Sequence, residues 1–475
     1  MNITKSSIRL HASSKGVVTH FLLLPGSHRV VNIVKRVGEM EEGSVGTCME
    51  KVRLDFAERH RNIETTFLNH YNRVEDEYGK SLAHFSSQKK LLLGAFFTKE
   101  YSIQAAALFN PSIVSHPDQH NLNSGEQRFI MSLRATGEGH ISSIVFQTGV
   151  VDGSAAITLD KTSGYFTCLQ KKIDTVYSKT FIRKCTDSIP EFDKSILDSL
   201  PDSFTPAEVH NIFKSIAPGE QPVINSVTML EKILDTNYEL EASFHVPVNE
   251  KVIFPNAKGE CMGMEDVRLV KFVEGEHSCY YGTYTAYDGK HIKTQLIETT
   301  DFDVFKIHTL YGKAVSDKGM ALFPEKVNGQ YVMISRQGGE KISIMFSDDL
   351  YRWDNSQTLM EPSFTWELVQ LGNCGSPIKT KRGWLLLTHG VGVMRTYVIS
   401  AILLDLHDPS RIIGKLEVPL IEADHNEREG YVPNVVYTCG FMQHENLLII
   451  PYAVSDSATV FATIELDEIL NAMKS

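Results

Sequence analysis

Residues 262–275 read MGMEDVRLVKFVEG, and residues 280–289 read YYGTYTAYDG. The first stretch passes from a glycine and two acids, Glu265 and Asp266, through Arg268 into the apolar run Leu269-Val270 and then Phe272-Val273. Such a run, bounded by Gly275, reads as a strand. Side chains alternate faces along a strand, so Glu265 and Asp266 would stand at its mouth on opposite faces. Adjacent acids at a strand end suit general acid chemistry, and equally a surface turn with an Asp–Arg pair.

The same rhythm continues on both sides. FIMSLRA at 129–135, ISSIVFQTG at 141–149, QYVMISRQGG at 330–339, KISIMFSDD at 341–349, WLLLTHGVG at 384–392, YVISAILLD at 397–405 and NLLIIPYAVS at 446–455 are short apolar runs split by Gly, Asn or Asp, as hairpins require. SDDLYRWD at 347–354 is a Ser-Asp turn leading to a tryptophan, present once. Strands at this spacing predict an all-β fold, closed or radially repeated, because an open sandwich of that size would leave long edges to protect.

Two regions break the pattern. Residues 1–109 are expected to be a helical extension. In residues 49–78, Val52, Phe56, Ile63, Phe67 and Tyr71 recur at one-face helical spacing. Ser86 and Ser87 offer a cap for a helix through residues 91–97, and residues 100–108 are taken as helical too. Residues 185–240, with SIPEFDKSILDSL and TPAEVHNIFKSI, are expected to be a helical insertion within a β domain spanning 110–475.

The bulk composition excludes several classes. A net charge of −11 argues against an extended nucleic-acid footprint. Seven cysteines at wide spacing fit free thiols better than a disulfide framework or structural zinc. There is no run of 18 apolar residues, and the polar N-terminus MNITKSSIRLHASSKG does not resemble a signal peptide. A cytoplasmic protein that crosses no membrane is the expectation. The sequence contains no GxGxxG, P-loop or GxSxG, and no metal-ligand cluster.

Three further stretches carry candidate chemistry. In SDKGMALFPEKVNGQYVMISRQ (316–337), the Asn328-Gly329 turn would return Arg336 to the neighbourhood of Lys318, making an anion site. In WELVQLGNCGSPI (366–378) and GWLLLTHGVGVMRTY (383–397), glycines surround His389 and let backbone approach a ligand, although a lone His after an apolar run is commonly a core residue. Asp456, in PYAVSDSATV, lies between two strands and on its own reads as a turn aspartate.

Taken in order, FNPSIV, MSLRA, GMEDVRLVKF, YGTYTAYDG, ALFPEKVNGQYVMISR, GWLLLTHGVG, LLDLHDPS, GYVPNVVYTCG and PYAVSD resemble glycoside hydrolase family 130, the β-mannoside phosphorylases and β-mannosidases. The resemblance runs from about residue 110 to the end. It implies a five-bladed β-propeller and inverting attack on a β-linked mannoside, with a β-1,2 linkage as the expectation. It matches Asp266 to the proton donor, which acts through a substrate hydroxyl, with Arg268 orienting it. It places Asn110, Arg134 and Asp456 in the mannose pocket, together with Glu265, Arg268 and Tyr284 as substrate-binding residues.

Lys318, Arg336 and His389 match phosphate-holding positions of the family's phosphorylases. A fourth, usually Lys, is Gln370 here, and this departure inclines the reading toward hydrolysis. Inverting hydrolysis needs a second carboxylate as base, with Glu367 the first candidate and Glu325 the second. The expected enzyme is therefore a glycosidase acting on short β-mannosides without a metal or organic cofactor. The alternatives are a phosphorylase that takes inorganic phosphate and releases α-mannose 1-phosphate, a non-catalytic sugar-binding propeller, and a transferase using an activated mannose. The resemblance also suggests homo-oligomers built through the N-terminal helices.

Overall fold

The computed structural model describes residues 1–78, 84–187, 189–215 and 221–474. Five antiparallel meanders follow one another along the chain. The first contains Ala107–Ser115, Gln127–Thr136 and Ser142–Val151, with Ile157–Leu159 and Lys251–Ile253 on its outer side. The second runs Gly263–Glu274, His277–Tyr287, Ile292–Thr299 and Phe305–Thr309. It meets the first through a single parallel pair, Gly263 with Ser142. The third is Ala321–Leu322, Tyr331–Ser335, Ile342–Ser347 and Gln357–Met360. The fourth is Gln370–Asn373, Trp384–Val391, Tyr397–Leu404 and Ile412–Lys415. The fifth is Val436–Tyr437, Leu447–Val454 and Ala458–Glu465.

The cores lie between meanders. Leu269 and Tyr280 of the second pack on Ile130 and Phe146 of the first. Val270 and Phe272 pack on Met320 and Met333 of the third. Ile334 and Phe323 pack on Trp384 and Leu386 of the fourth. Leu385 and Ile399 pack on Leu448 and Ile450 of the fifth. Met442, Ile449 and Phe461 of the fifth then pack on Ile113, Phe129 and Met131 of the first. The last and first meanders are also tied by backbone, Cys439 N–H to the Pro111 carbonyl and Leu108 N–H to that of Ser457.

The N-terminal region departs from the helical expectation at both ends. Thr4–His11 pairs antiparallel with Ala458–Glu465, and Ser13–Phe21 pairs with Thr98–Gln104. Residues 100–108, expected to be helical, are extended; TKEYSIQ alternates burial as a half-buried strand does. Between these strands lie helices Ser27–Glu39, Glu42–Phe56, Ile63–Tyr78 and Ser87–Phe96. The period read across residues 49–78 is split at Asn62, which adopts φ 50. Ser86 caps the last helix, its hydroxyl accepting from Lys89 N–H. Gly94 is required there, because a Cβ would lie 1.8 Å from the Phe67 carbonyl oxygen.

The insertion is helical, as Lys179–Thr186, Ser195–Asp198, Pro206–Ser215 and Gln221–Thr236 around its own core. The expected SIPEFDKSILDSL helix contracts to four residues; its first residue, Ser188, and the end of TPAEVHNIFKSI, Ile216, lie outside the described residues. No helix among the described residues is long and apolar enough to cross a membrane.

Because Thr4–His11 covers the edge of Ala458–Glu465, removing residues 1–12 exposes that edge and the Glu427 partner of Lys5. We expect the truncated chain to lose several degrees of melting temperature and to aggregate, read by calorimetry and size-exclusion chromatography. An unchanged melting temperature would show the strand to be dispensable.

Candidate active site

Residues from all five meanders line one cavity of about 240 Å³: Asn110 and Arg134, Asp266, Lys318 and Arg336, Gln370 and His389, and finally Tyr437 and Asp456. The backbone is bent to bring them there. Asn110, Asp266 and Asp456 adopt φ 50, 57 and 49. The strand register slips at Phe109/Ser112 and again at Glu265/Arg268, so Asn110 and Asp266 sit on bulges. Asn and Asp tolerate left-handed backbone better than other side-chain-bearing residues, and such strain concentrates at functional sites.

Asp266 is held from two sides. Asn110 Nδ2 donates to its Oδ1 at 2.7 Å, and Arg134 Nη1 reaches the same oxygen at 3.3 Å. Arg134 Nη2 also donates to Glu265 Oε1 at 2.7 Å, while Lys318 Nζ takes Glu265 Oε2 at 3.0 Å. Glu265 thus binds two cations beside the cavity rather than lining it. Arg268 acts below the carboxylate: its Nη1 donates to the Asp266 carbonyl and its Nη2 to the Tyr437 hydroxyl, fixing the bulge rather than the acid's oxygens.

The two cavity aspartates differ in proton affinity. Burial pushes Asp266 up, but Arg134, Arg268, the Asn110 hydrogen bond and Lys318 outweigh it and hold the carboxyl below its ordinary value. Burial, and then the charge of Asp266, push Asp456 up to about 6. His389 is kept neutral, its proton affinity driven far down by burial and then by Arg336 and Arg268. Its Nε2 faces two donors, Arg336 Nη1 at 3.4 Å and Gln370 Nε2 at 3.5 Å, as a neutral imidazole can accept. Gly372 makes room for this trio; a Cβ there would lie 2.4 Å from His389 Cε1.

The predicted Asn328-Gly329 turn is present, with φ 52 and 83, and brings Lys318 and Arg336 to one cavity. The structure does not bring in the two proposed bases. Glu367 is fully buried in its own turn, where Oε1 accepts from Ser363 and Phe364 N–H, with Lys415 Nζ at 3.4 Å. Glu325 pairs with Lys379 and lines a separate cavity of about 280 Å³. Tyr284 lies outside the cavity as well, buried in the core between the first two meanders with its hydroxyl on Glu260. Arg395 and Tyr397 line the cavity and were missed as site residues; Arg395 lies in the GVGVMRTY turn at φ 55, and its GxG was the available signal.

A family profile described as beta-1,4-mannooligosaccharide phosphorylase, glycoside hydrolase family 130, matches residues 225–475. The chain belongs to this family. A 1,2-beta-oligomannan phosphorylase of Thermoanaerobacter sp. (strain X514) is 34% identical over 236 residues, 47% of this chain and 75% of the relative. The beta-1,2-mannobiose phosphorylase of Listeria innocua is 29% identical over 241 residues, 48% of this chain and 66% of the relative. A solved complex of a Listeria innocua enzyme of that name with beta-1,2-mannobiose superposes at TM-score 0.48 and 21% identity, over 78% of this chain and 92% of that chain. As a member of family 130 the protein is a carbohydrate-active enzyme, and the two sequence relatives, both phosphorylases by name, weigh against the inclination toward hydrolysis. Among the described residues no group of three or more His, Cys, Asp or Glu is arranged to hold a metal ion.

The raised proton affinity of Asp456 has a stability consequence. With a folded value near 6 against 3.8 for the free group, it favours folding below about pH 4, and this contribution is lost as pH rises through 6. Asp456→Asn should therefore gain on the wild type by on the order of 2–3 kcal/mol between pH 4 and pH 8. Denaturant titrations of both proteins at the two pH values measure the difference.

Proposed function

We propose that the protein is an inverting β-mannoside phosphorylase that cleaves β-1,2-linked manno-oligosaccharides and releases α-mannose 1-phosphate. The carrying observation is the composition of the cavity: Lys318 and Arg336 share it with neutral His389 and Gln370, while Glu367 and Glu325 lie elsewhere. The phosphorylase names of the relatives support the same reading. The fold that suits it is a five-bladed propeller, supported by five meanders whose cores succeed one another and whose last packs on the first.

The step balances without a further reactant. A phosphate oxygen attacks the anomeric carbon as the glycosidic C–O bond breaks. The leaving oxygen takes a proton from Asp266 through a mannose hydroxyl, and the proton of hydrogen phosphate makes up the loss. Asn110, Arg134 and Asp456 would hold mannose, whose buried hydroxyls all need partners. Phosphate would lie against Lys318, Arg336 and Gln370. Its arrival opposes the cations that keep Asp266 ionised, so binding of the dianion raises the acid's proton affinity when a proton is needed. Gln370 supplies a donor without charge, so weak phosphate affinity is expected. The seven free thiols support a reducing, cytoplasmic setting.

Incubation with β-1,2-mannobiose, with and without millimolar phosphate, tests the reading. Mannose 1-phosphate should form only with phosphate; free mannose released without it would establish hydrolysis instead.

Substitutions separate the carboxylates. Asp266→Asn should lower turnover by roughly 10²–10⁴-fold. Glu367→Gln and Glu325→Gln should stay near wild type, and a comparable collapse in either would return it to the role of base.

A further inference from the structure

A larger cavity of about 380 Å³ lies between the helical insertion and the outer strands of the second meander. Helix Gln221–Thr236 forms one wall with Lys232 and Ile233, strands Ile292–Thr299 and Phe305–Thr309 form another, and the loop before Lys318 closes a third with Ser316 and Asp317. It stands beside the active site. Glu265 pairs with Thr285, and Thr285 with Thr294, so Thr294 is two strand spacings, roughly 10 Å, from the strand of the acids. Thr294 Oγ1 then donates to the carbonyl of Asp317, the residue before Lys318, at 3.3 Å. Asp317 Oδ2 in turn accepts from Gly338 N–H, two residues beyond Arg336.

The lining is mixed. Leu310, Tyr311, Ile233 and Val315 give an apolar surface, while Lys232, Lys293 and Ser316 offer hydrogen bonds. Neither lysine forms an ion pair, and the Ser316 hydroxyl bonds nothing, among the described residues. An aromatic ring and aliphatic wall beside free donors and hydroxyls fit a ligand that is apolar on its ring faces and hydroxylated at its edges. A carbohydrate has that surface. Ser316 and Asp317 line this cavity and the next residue, Lys318, lines the catalytic one.

We propose that this cavity is a second carbohydrate site, holding the sugar units of a longer β-mannoside that extend beyond those in the catalytic cavity. The proposal rests on the mannoside reading of the active site. It makes the helical insertion a determinant of chain length, and Lys232, Lys293 and Ser316 specificity residues outside the reacting centre.

Ser316→Trp fills the cavity from an exposed position, and Lys232→Ala/Lys293→Ala removes its donors without adding bulk. With β-1,2-mannotetraose each variant should lose about fivefold or more in kcat/KM, while β-1,2-mannobiose changes less than about twofold. Equal effects on both substrates, or none on either, would overturn the proposal. Calorimetric binding of both sugars to Asp266→Asn, with and without Ser316→Trp, reads the site without turnover. Tetraose binding that is tighter than biose binding, and is weakened by Ser316→Trp, supports it even if the wild type proves not to be a phosphorylase. Equal binding of the two sugars overturns it. Circular dichroism and melting temperature confirm that each variant is folded.

Discussion

The ion pair on which the rest of this site depends joins Arg134 to Glu265 and Asp266. One guanidinium from the first meander serves two adjacent carboxylates at the mouth of the second. All three side chains are largely withdrawn from water. Removing one partner from such a buried set leaves charge uncompensated and costs about 3–5 kcal/mol in typical cases. Arg134 is itself braced, its Nε donating to Ser142 Oγ and its guanidinium lying over the Phe109 ring at 5.0 Å. The pairing is thus a weld between meanders as well as a control on the acid's proton.

A second constraint follows from sheet geometry. A regular strand would turn alternate side chains into the cores between meanders and give the cavity few of its polar groups. Bulges at Asn110 and Asp266, and the left-handed turn at Asp456, redirect those chains inward. Arg268 shows how the strain is held, donating to the Asp266 carbonyl from a buried position and anchoring on Tyr437 of the fifth meander. The acid is therefore positioned by the first, second and fifth meanders together, and its geometry depends on how they pack.

The cavity's charge pattern favours phosphorolysis over hydrolysis. Hydrolysis by inversion needs a carboxylate facing a water across from the acid. Glu367, three residues before Gln370, instead accepts hydrogen bonds from the turn that contains it. Gln370 brings no charge but places a donor at His389. Neutral His389 then leaves Arg336 as a cation without a carboxylate partner among the described residues, which suits a site that takes a dianion.

Much of this was legible in the chain. Local signals determined the β-rich body, the Asn328-Gly329 hairpin, the helical insertion and the Ser86 cap, since each depends on neighbours within a few residues. Order along the chain was enough to pick out Asn110, Arg134, Asp266, Lys318, Arg336, Gln370, His389 and Asp456, which the structure brings to one cavity. The tertiary structure decided what short range cannot. Thr4–His11 is a strand because its partner edge lies more than 400 residues away. Tyr284 belongs to the core and Glu367 to its own turn because strand register and turn hydrogen bonds, not sequence proximity, set which way a side chain points. Which acid holds its proton was likewise beyond the sequence, since burial and the charges of other meanders fix that for Asp266 and Asp456 alike.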